Sequence, residues 1–272
     1  MDANSLLAAA GRGDAAALEA LLAQNQARIY RFGMKMCRDP DDAADVVQET
    51  MLAMARGIRD FRGGASLSTW LYSIARSFCI KKRRRSKFAP TDSLPLSEVG
   101  EPASPLPDPE ATAAQRELSH ALDEAIAALE PKYREVLLLR DVEGLTAPEV
   151  GEVLKISTGA VKTRLHRARL SVRAAFSPLL EASEPAVVAA PGTCPDVLRL
   201  FSRHVEDEIS ASQCADMERH LEACPRCRGA CDTLKRSLAL CRAVPAAAVP
   251  DDVQAAVRAA VRKLVAERPP TD

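Results

Sequence analysis

Six of the 18 prolines lie between Pro90 and Pro109, at Pro90, Pro95, Pro102, Pro105, Pro107 and Pro109. Each proline removes a backbone donor and biases the residue before it away from helical angles, so no regular element runs through this spacing. The stretch reads as an extended linker that splits the chain into separately folded pieces. A second break runs from Ser183 to Gly192 and a third from Pro245 to Pro250. Between the breaks, apolar residues recur at helical spacing. Alternating β-branched runs are missing and aromatic residues make up only 4%, so the expected fold class is all-α. With 47% hydrophobic and 27% charged residues, the pieces can build cores. The expected division is 1–88, a linker 89–114, 115–180, a linker 181–193, 194–240, and a tail 241–272 with an amphipathic helix over about Asp251–Glu267.

No apolar run reaches the roughly 18 residues of a membrane span, and the opening residues lack a signal-peptide core, so a cytoplasmic protein without membrane contact is expected. Lys+Arg and Asp+Glu are both 37. The balance conceals a segregation of sign along the chain. Eight cysteines without an export signal point to thiols or metal ligands and away from disulfides.

In the first piece, every charge from Asp39 to Glu49 is acidic: Asp39, Asp41, Asp42, Asp45 and Glu49. Early acids suit a helix N-terminus, and the run also suits a solvated face. The next helix begins near Ser66 or Ser68, with Leu67, Leu71, Ile74 and Phe78 as its expected buried stripe. From Arg76 to Arg85 there are six basic residues and no acid, a density that suits phosphate. Trp70 has two readings, core packing or direct work at unpaired DNA.

The run Asp41-Asp42-Ala43-Ala44-Asp45-Val46-Val47-Gln48-Glu49-Thr50 resembles the helix with which bacterial sigma factors grip the RNA polymerase clamp. The run from Phe61 through Gly63-Gly64, Trp70 and Arg76 resembles the promoter −10 segment of the extracytoplasmic-function (ECF) group, departing from it at Ser77, where the group usually has Asn. The resemblance implies polymerase contacts at Asp41, Asp42, Asp45, Gln48 and Glu49. It implies DNA contacts at Arg62, Ser68, Trp70, Arg76, Lys81, Lys82, Arg83 and Arg84, with cations tracking a melted strand and the Gly63-Gly64 loop holding a flipped base.

The second piece carries a helix-turn-helix pattern. Thr146-Ala147-Pro148-Glu149 is a capping box with proline in the first turn. Val150, Val153 and Leu154 give a short helix its apolar side, and Lys155-Ile156-Ser157 makes a tight turn. A second helix then carries Val161, Leu165, Ala168 and Val172 at one face. No acid occurs between Val153 and Leu180. Two short helices with the second one basic are the pattern of a major-groove reader. The bland alternative is a helical hairpin with a basic surface. The stretch from Leu129 to Arg140, with Glu143-Gly144-Leu145-Thr146 and Gly159 through Arg169, resembles the sigma domain that reads the −35 element. Candidate DNA contacts are Ser157, Thr158, Lys162, Thr163, Arg164, His166 and Arg167; His166 is expected to face DNA or solvent and not to act as a base.

The third piece holds His220-x3-Cys224-Pro225-Arg226-Cys227. Zinc takes four N/S ligands at tetrahedral corners, and this segment supplies three. Cys194 is the natural fourth, brought in by a helix over about 195–209, with Cys214, Cys231 and His204 as competitors. Positions 220, 224, 227 and 231 are also helix-spaced, which fits buried apolar thiols, although Pro225 and Gly229 interrupt that stripe. The spacing resembles the zinc-binding anti-sigma fold, which implies one zinc on Cys194, His220, Cys224 and Cys227. Cys214, Cys231 and Cys241 are left as buried thiols or as sensing ligands.

Together these features lead to the expectation of a sigma factor that binds core RNA polymerase and promoter DNA, is not an enzyme, and is regulated by a fused zinc domain that docks on its own sigma domains. The rival is a helix-turn-helix regulator that acts without being a polymerase subunit. A zinc enzyme fits less well, because the inferred site is filled by four protein ligands and has no Glu placed as a base.

Overall fold

The computed structural model describes residues 3–86, 109–181, 194–245 and 248–266. Every regular element among them is helical. The helices α1 (Ala3–Gly11), α2 (Ala15–Cys37), α3 (Pro40–Gly57) and α4 (Leu67–Ser86) form one compact unit together with α12 (Asp251–Ala266). The helices α5 (Pro109–Ala128), α6 (Pro131–Leu137, running on as a π turn through Val142), α7 (Ala147–Leu154), α8 (Thr158–Glu181), α9 (Val197–His204), α10 (Ala211–Ala223) and α11 (Pro225–Ala243) form the second, apart from Glu152–Lys155, which groups with the first.

Local chemistry sets the helix ends of the first unit. The Asp14 carboxylate accepts from Ala17 N at 3.0 Å to start α2, and Asp39 accepts from Asp42 N at 2.8 Å to start α3, with Pro40 in the first turn. Between them Arg38 takes a left-handed conformation (φ 63°) and closes α2 through Met34 O. Gly33 lets the two helices approach, since a Cβ there would lie 3.2 Å from Ala43 Cα. The core is Leu21, Ile29 and Phe32 of α2, Val46, Val47, Met51 and Met54 of α3, and Leu71, Tyr72, Ala75 and Cys79 of α4. Phe32 meets Tyr72 edge to face at 5.4 Å. This corrects the expected stripe of α4: Leu71 is buried, but Leu67, Ile74 and Phe78 are only half-buried. The buried face is rotated towards Tyr72 because Phe32 offers it a partner.

α12 packs against α3. Its Val257 and Val261 are buried, and Gln254 Nε2 donates to Val249 O at 2.9 Å, tying the helix start to the segment before it. Asp252 and Asp41 raise the Tyr30 phenol above its ordinary value, after burial itself. Arg262 lies 3.6 Å from Glu19 on the surface.

In the second unit, α5 begins at Pro109, inside the stretch expected as linker, because a proline at the first helical position loses no hydrogen bond. Residues 90–107, which carry the other prolines of that linker, lie outside the described residues. α11 likewise runs on to Ala243, past the expected boundary at 240. The core of the third piece is Val197, Phe201, Met217, Cys227, Cys231, Leu234 and Leu238. α11 packs on α8, on α5 and on the π turn, so the third piece shares one unit with the second.

Candidate nucleic-acid interface and metal centre

The acidic helix α3 presents Asp41, Asp45 and Glu49 to solvent, with Asp42 and Gln48 half-buried beside them. Lys82 of α4 reaches across, donating to Asp45 and lying 3.0 Å from Asp42. Burial opposes the Lys82 charge, but the two carboxylates outweigh it and raise its pKa. Lys82 is therefore engaged by the acidic helix, while Lys81, Arg83 and Arg84 stay exposed. Asp45, Gln48 and Glu49 line a shallow depression with Phe78, Lys81 and Lys82. Arg62 is exposed in the loop before α4, where Gly63 takes φ 71°. Ser68 and Arg76 are half-buried, and so is Trp70, whose ring lies 5.1 Å from that of Phe61 and closes over Gly57.

The helix-turn-helix forms by the chemistry its sequence implies. Thr146 Oγ1 accepts from Glu149 N at 3.4 Å, and the Glu149 carboxylate accepts from Thr146 N at 2.9 Å. The turn needs glycine at 151, where a Cβ would stand 2.9 Å from Ile156 O, and Lys155 takes φ 57° to reverse the chain. Ser157 Oγ then accepts from Ala160 N and opens α8. Val161, Leu165, Ala168 and Val172 are buried as expected.

The polar side of α8 is divided. Ser157, Thr163 and Arg167 are exposed, with Thr158 and Arg164 half-buried. Arg167 donates to the Tyr133 hydroxyl at 3.1 Å. Lys162 and His166 instead face the third piece. Lys162 Nζ donates to Glu208 at 2.5 Å. His166 is half-buried, its Nδ1 has no hydrogen-bond partner, and burial lowers its pKa, with Asp196 and then Arg199 as charged neighbours. It does not stand open towards DNA as the sequence led us to expect. Next to them Arg169 is fully buried. Its Nε and Nη2 donate to the Asp141 carboxylate at 2.9 and 2.7 Å, Nη1 to Ser202 O at 3.3 Å, and Nη2 also to Glu206 at 2.8 Å. The other Glu206 oxygen accepts from Arg140 Nε at 3.0 Å. Burial works against the Arg169 charge, and Asp141 and then Glu206 restore it, leaving the pKa raised.

The turn that carries these acids is itself ordered. Asp207 takes φ 55°, Arg203 Nη2 donates to Glu208 O at 2.9 Å, and Ser210 begins α10 with a reciprocal capping box on Gln213. Sequence reasoning passed over Glu206 and Glu208. The signal was three successive acids at 206–208 in the same chain as a basic helix with no acid before its last residue, Glu181.

The ligand atoms of Cys194, His220, Cys224 and Cys227 all lie within 4.8 Å of one another. Cys194 precedes α9, His220 lies near the end of α10, and Cys224 caps α11 with Pro225 as its first residue. Cys194 and Cys224 sulfurs are 4.0 Å apart. The backbone N–H of Cys227 first, opposed by burial, holds the Cys224 thiol below its ordinary value, whereas burial pushes Cys227 up to about 12. His220 Nε2 is buried with no hydrogen-bond partner. A buried ring nitrogen aimed at three thiols is a donor set for a tetrahedral, thiophilic cation. The competing fourth ligands are placed elsewhere: Cys231 is buried against Val197 O, and Cys214 sits between His204 and Glu218.

Three family models match: "Sigma-70 region 2" over residues 21–88, "Sigma-70, region 4" over 119–172 and "Putative zinc-finger" over 194–228. The chain is 32% identical over 164 residues to the ECF RNA polymerase sigma factor SigM of Mycobacterium tuberculosis, covering 60% of this chain and 79% of that one. It is 31% identical over 170 residues to the ECF RNA polymerase sigma factor SigW of Bacillus subtilis, covering 60% and 90%. The chain belongs to the ECF sigma factors. A further ECF sigma factor, SigE of Mycolicibacterium smegmatis, is 30% identical over 164 residues, and there the match spans 63% of the relative. The sigma chain thus carries regions 2 and 4 in order, which sets aside a helix-turn-helix regulator lacking the polymerase-binding half. Among the described residues no helix is long and apolar enough to cross a membrane.

Proposed function

We propose that this sigma factor is held inactive in cis by its own third piece, which covers part of the −35-reading helix. In this reading 1–88 binds core polymerase and the −10 element, and 115–180 reads the −35 element. Residues 89–114 and 181–193 join the pieces, 194–240 is an anti-sigma-type zinc domain, and 241–272 carries the helix that lies on α3. Asp41, Asp45 and Glu49 meet a basic surface of polymerase. Arg62, Arg76, Lys81, Arg83 and Arg84 meet the melted strand, and Thr163, Arg164 and Arg167 meet the −35 duplex. Cys194, His220, Cys224 and Cys227 hold one zinc, which supplies the fixed point from which α9 and α11 diverge. The protein works in the cytoplasm, with polymerase and DNA.

The observation that carries the reading is the pair of acids that the turn between α9 and α10 lays against α8. Glu206 and Glu208 engage Arg169 and Lys162 on one side of the recognition helix, placing carboxylates beside the cations of a DNA-reading surface. The packing of α12 on α3 supports the same reading in the other unit, since it occupies part of the acidic helix's surroundings. The test is run-off transcription with core polymerase by the full chain, by Cys224→Ser and by a chain ending at residue 185. Greater activity of the two altered proteins is expected. Equal activity in all three would leave the third piece with a structural role only.

A further inference from the structure

We propose that Cys37 and Cys79 form a redox-modification site in the first unit, closing to a reversible disulfide when a peroxide oxidises Cys37. The two thiols are 42 residues apart in the chain, and Cys37 Sγ lies 3.4 Å from Cys79 Sγ. The sulfurs of a disulfide are about 2.05 Å apart, so these two need to approach by roughly 1.4 Å. Every other cysteine, from Cys194 to Cys241, belongs to the second unit. Each of these two thiols therefore has the other as its one sulfur partner within the unit.

The two members are unequal. Cys37 is half-buried and is the last residue of α2, followed by Arg38 in its left-handed conformation. A residue at a helix end can take up the approach by rotating its own side chain and last turn. Cys79 is buried on the face of α4 that carries Leu71, Tyr72 and Ala75. A small oxidant thus meets Cys37 first. Cys37 gives its proton to solvent, and the thiolate takes one oxygen of hydrogen peroxide to become a sulfenic acid as hydroxide leaves. Cys79 then attacks that sulfur. The S–S bond forms as the S–O bond breaks, and the departing hydroxide leaves with the Cys79 proton as water. In sum, two thiols and one hydrogen peroxide give one disulfide and two waters. A bond made by an oxidant and undone by thiol exchange is the kind that a reducing compartment allows.

The place of the pair gives the bond a consequence, which rests on the polymerase-binding reading of α3 above. Cys37 stands two residues before Asp39, whose carboxylate starts α3. Cys79 lies three residues before Lys82 on one side of α4, and Lys82 pairs with Asp42 and Asp45. The bond ties the basic helix to the corner from which the acidic helix departs. It holds Lys82 over two of the carboxylates that meet polymerase, so the oxidised chain binds core polymerase less tightly.

The test treats the full-length zinc protein with hydrogen peroxide, alkylates the remaining thiols and maps the digested peptides by mass spectrometry. A linked pair of peptides carrying Cys37 and Cys79 is expected, lighter than their sum by two hydrogen atoms and released by dithiothreitol. Cys37→Ser should lose the linked pair and keep Cys79 as a thiol. Cys79→Ala should instead leave Cys37 as a sulfenic acid that dimedone traps. Both thiols free after the zinc-site cysteines have been oxidised, or Cys37 carried on to sulfinic acid without pairing, would overturn the site. Affinity for core polymerase is then compared between reduced and oxidised chains of wild type and Cys37→Ser, since oxidation of the zinc-site cysteines is common to both. A severalfold weakening seen in wild type and lost in Cys37→Ser supports the coupling. A linked pair that forms without changing core affinity keeps the site and overturns the coupling, while Glu49→Arg tests the role of α3 separately.

Discussion

The contact of Glu206 with α8 makes a quantitative prediction. Its side chain is 5% exposed and bridges Arg169 at 2.8 Å and Arg140 at 3.0 Å. Hydrogen bonds to charged groups contribute about 1.5–3 kcal/mol each, and truncating one partner of a buried charge pair costs about 2–5 kcal/mol. Two features reduce this figure. Arg169 keeps both of its bonds to Asp141, and Arg140, 21% exposed, regains water. A net loss of about 2–3 kcal/mol from the covered state of α8 is the result. Glu206→Gln keeps the shape but sets an amide N–H against a guanidinium, so it removes the attraction without a cavity. With each 1.4 kcal/mol a factor of ten, the balance between covered and uncovered helix shifts by roughly thirty- to hundredfold. Apparent affinity for DNA is reduced by the fraction of chain in the competent state, so −35 duplex binding should tighten by up to that factor.

Two neighbours make the measurement decisive. Glu208→Gln removes the same charge, but its partner Lys162 and Glu208 itself are 26% and 33% exposed. The lost pair is then worth about 0.2–1 kcal/mol and the gain at most about fivefold. Asp207→Asn removes one charge from an exposed side chain and should change little. Fluorescence anisotropy with a labelled duplex at fixed salt reads all three. Equal gains in the three variants would mean that simple removal of negative charge explains the effect. No gain at Glu206→Gln would refute the masking of α8.

Other perturbations follow from the same geometry. Arg169→Met leaves Asp141 without its buried cation and Glu206 with Arg140 alone, and should cost about 3–5 kcal/mol, read as a lower denaturant midpoint with the α5–α11 unit unfolding first. Alanine at Arg164 or Arg167 should weaken duplex binding by about 1–3 kcal/mol and relax one position if it reaches a base edge, or weaken all sequences alike if it meets phosphate, as a randomised-library selection distinguishes. Glu49→Arg should reduce copurification with core polymerase while the helical circular dichroism is unchanged; undiminished binding would remove α3 from that interface. Cys224→Ser should lose the metal held with Cys194, His220 and Cys227, and faster amide exchange should then be confined to the third piece.

What the sequence made legible was what neighbouring residues decide among themselves. The capping box at Thr146–Glu149 and the buried face of Val161, Leu165, Ala168 and Val172 need only one helix and its entry, and both are present as read. The gathering of Cys194 with the His220–Cys227 segment was legible because ligand chemistry limits the partners. What escaped depends on distant partners. On α4 two overlapping stripes fit a helical period, and only Phe32 of α2 selects the one containing Tyr72. His166 read as open because nothing within its own helix shows that the third piece half-buries it and brings the charges of Asp196 and Arg199 near. Pro109 read as linker because a proline that ends one segment and a proline that starts a helix look alike until the following turn is seen.

If the third piece masks α8 as proposed, its contacts need only be modest to exert control. Within one unit its acids engage α8, and within the other α12 lies on α3. Neither contact has to overcome the cost of bringing a separate regulator to the sigma domains, because the covalent chain holds it at high effective concentration. A tethered cover can therefore be weak enough to reverse. A signal that removes about 3 kcal/mol moves a covered population of ninety-nine in a hundred to about an even mixture. A buried bidentate carboxylate such as Glu206 stores an amount of this order at one side chain. An input that acts on the turn between His204 and Glu208 reaches that side chain directly, because Glu206 lies within the turn.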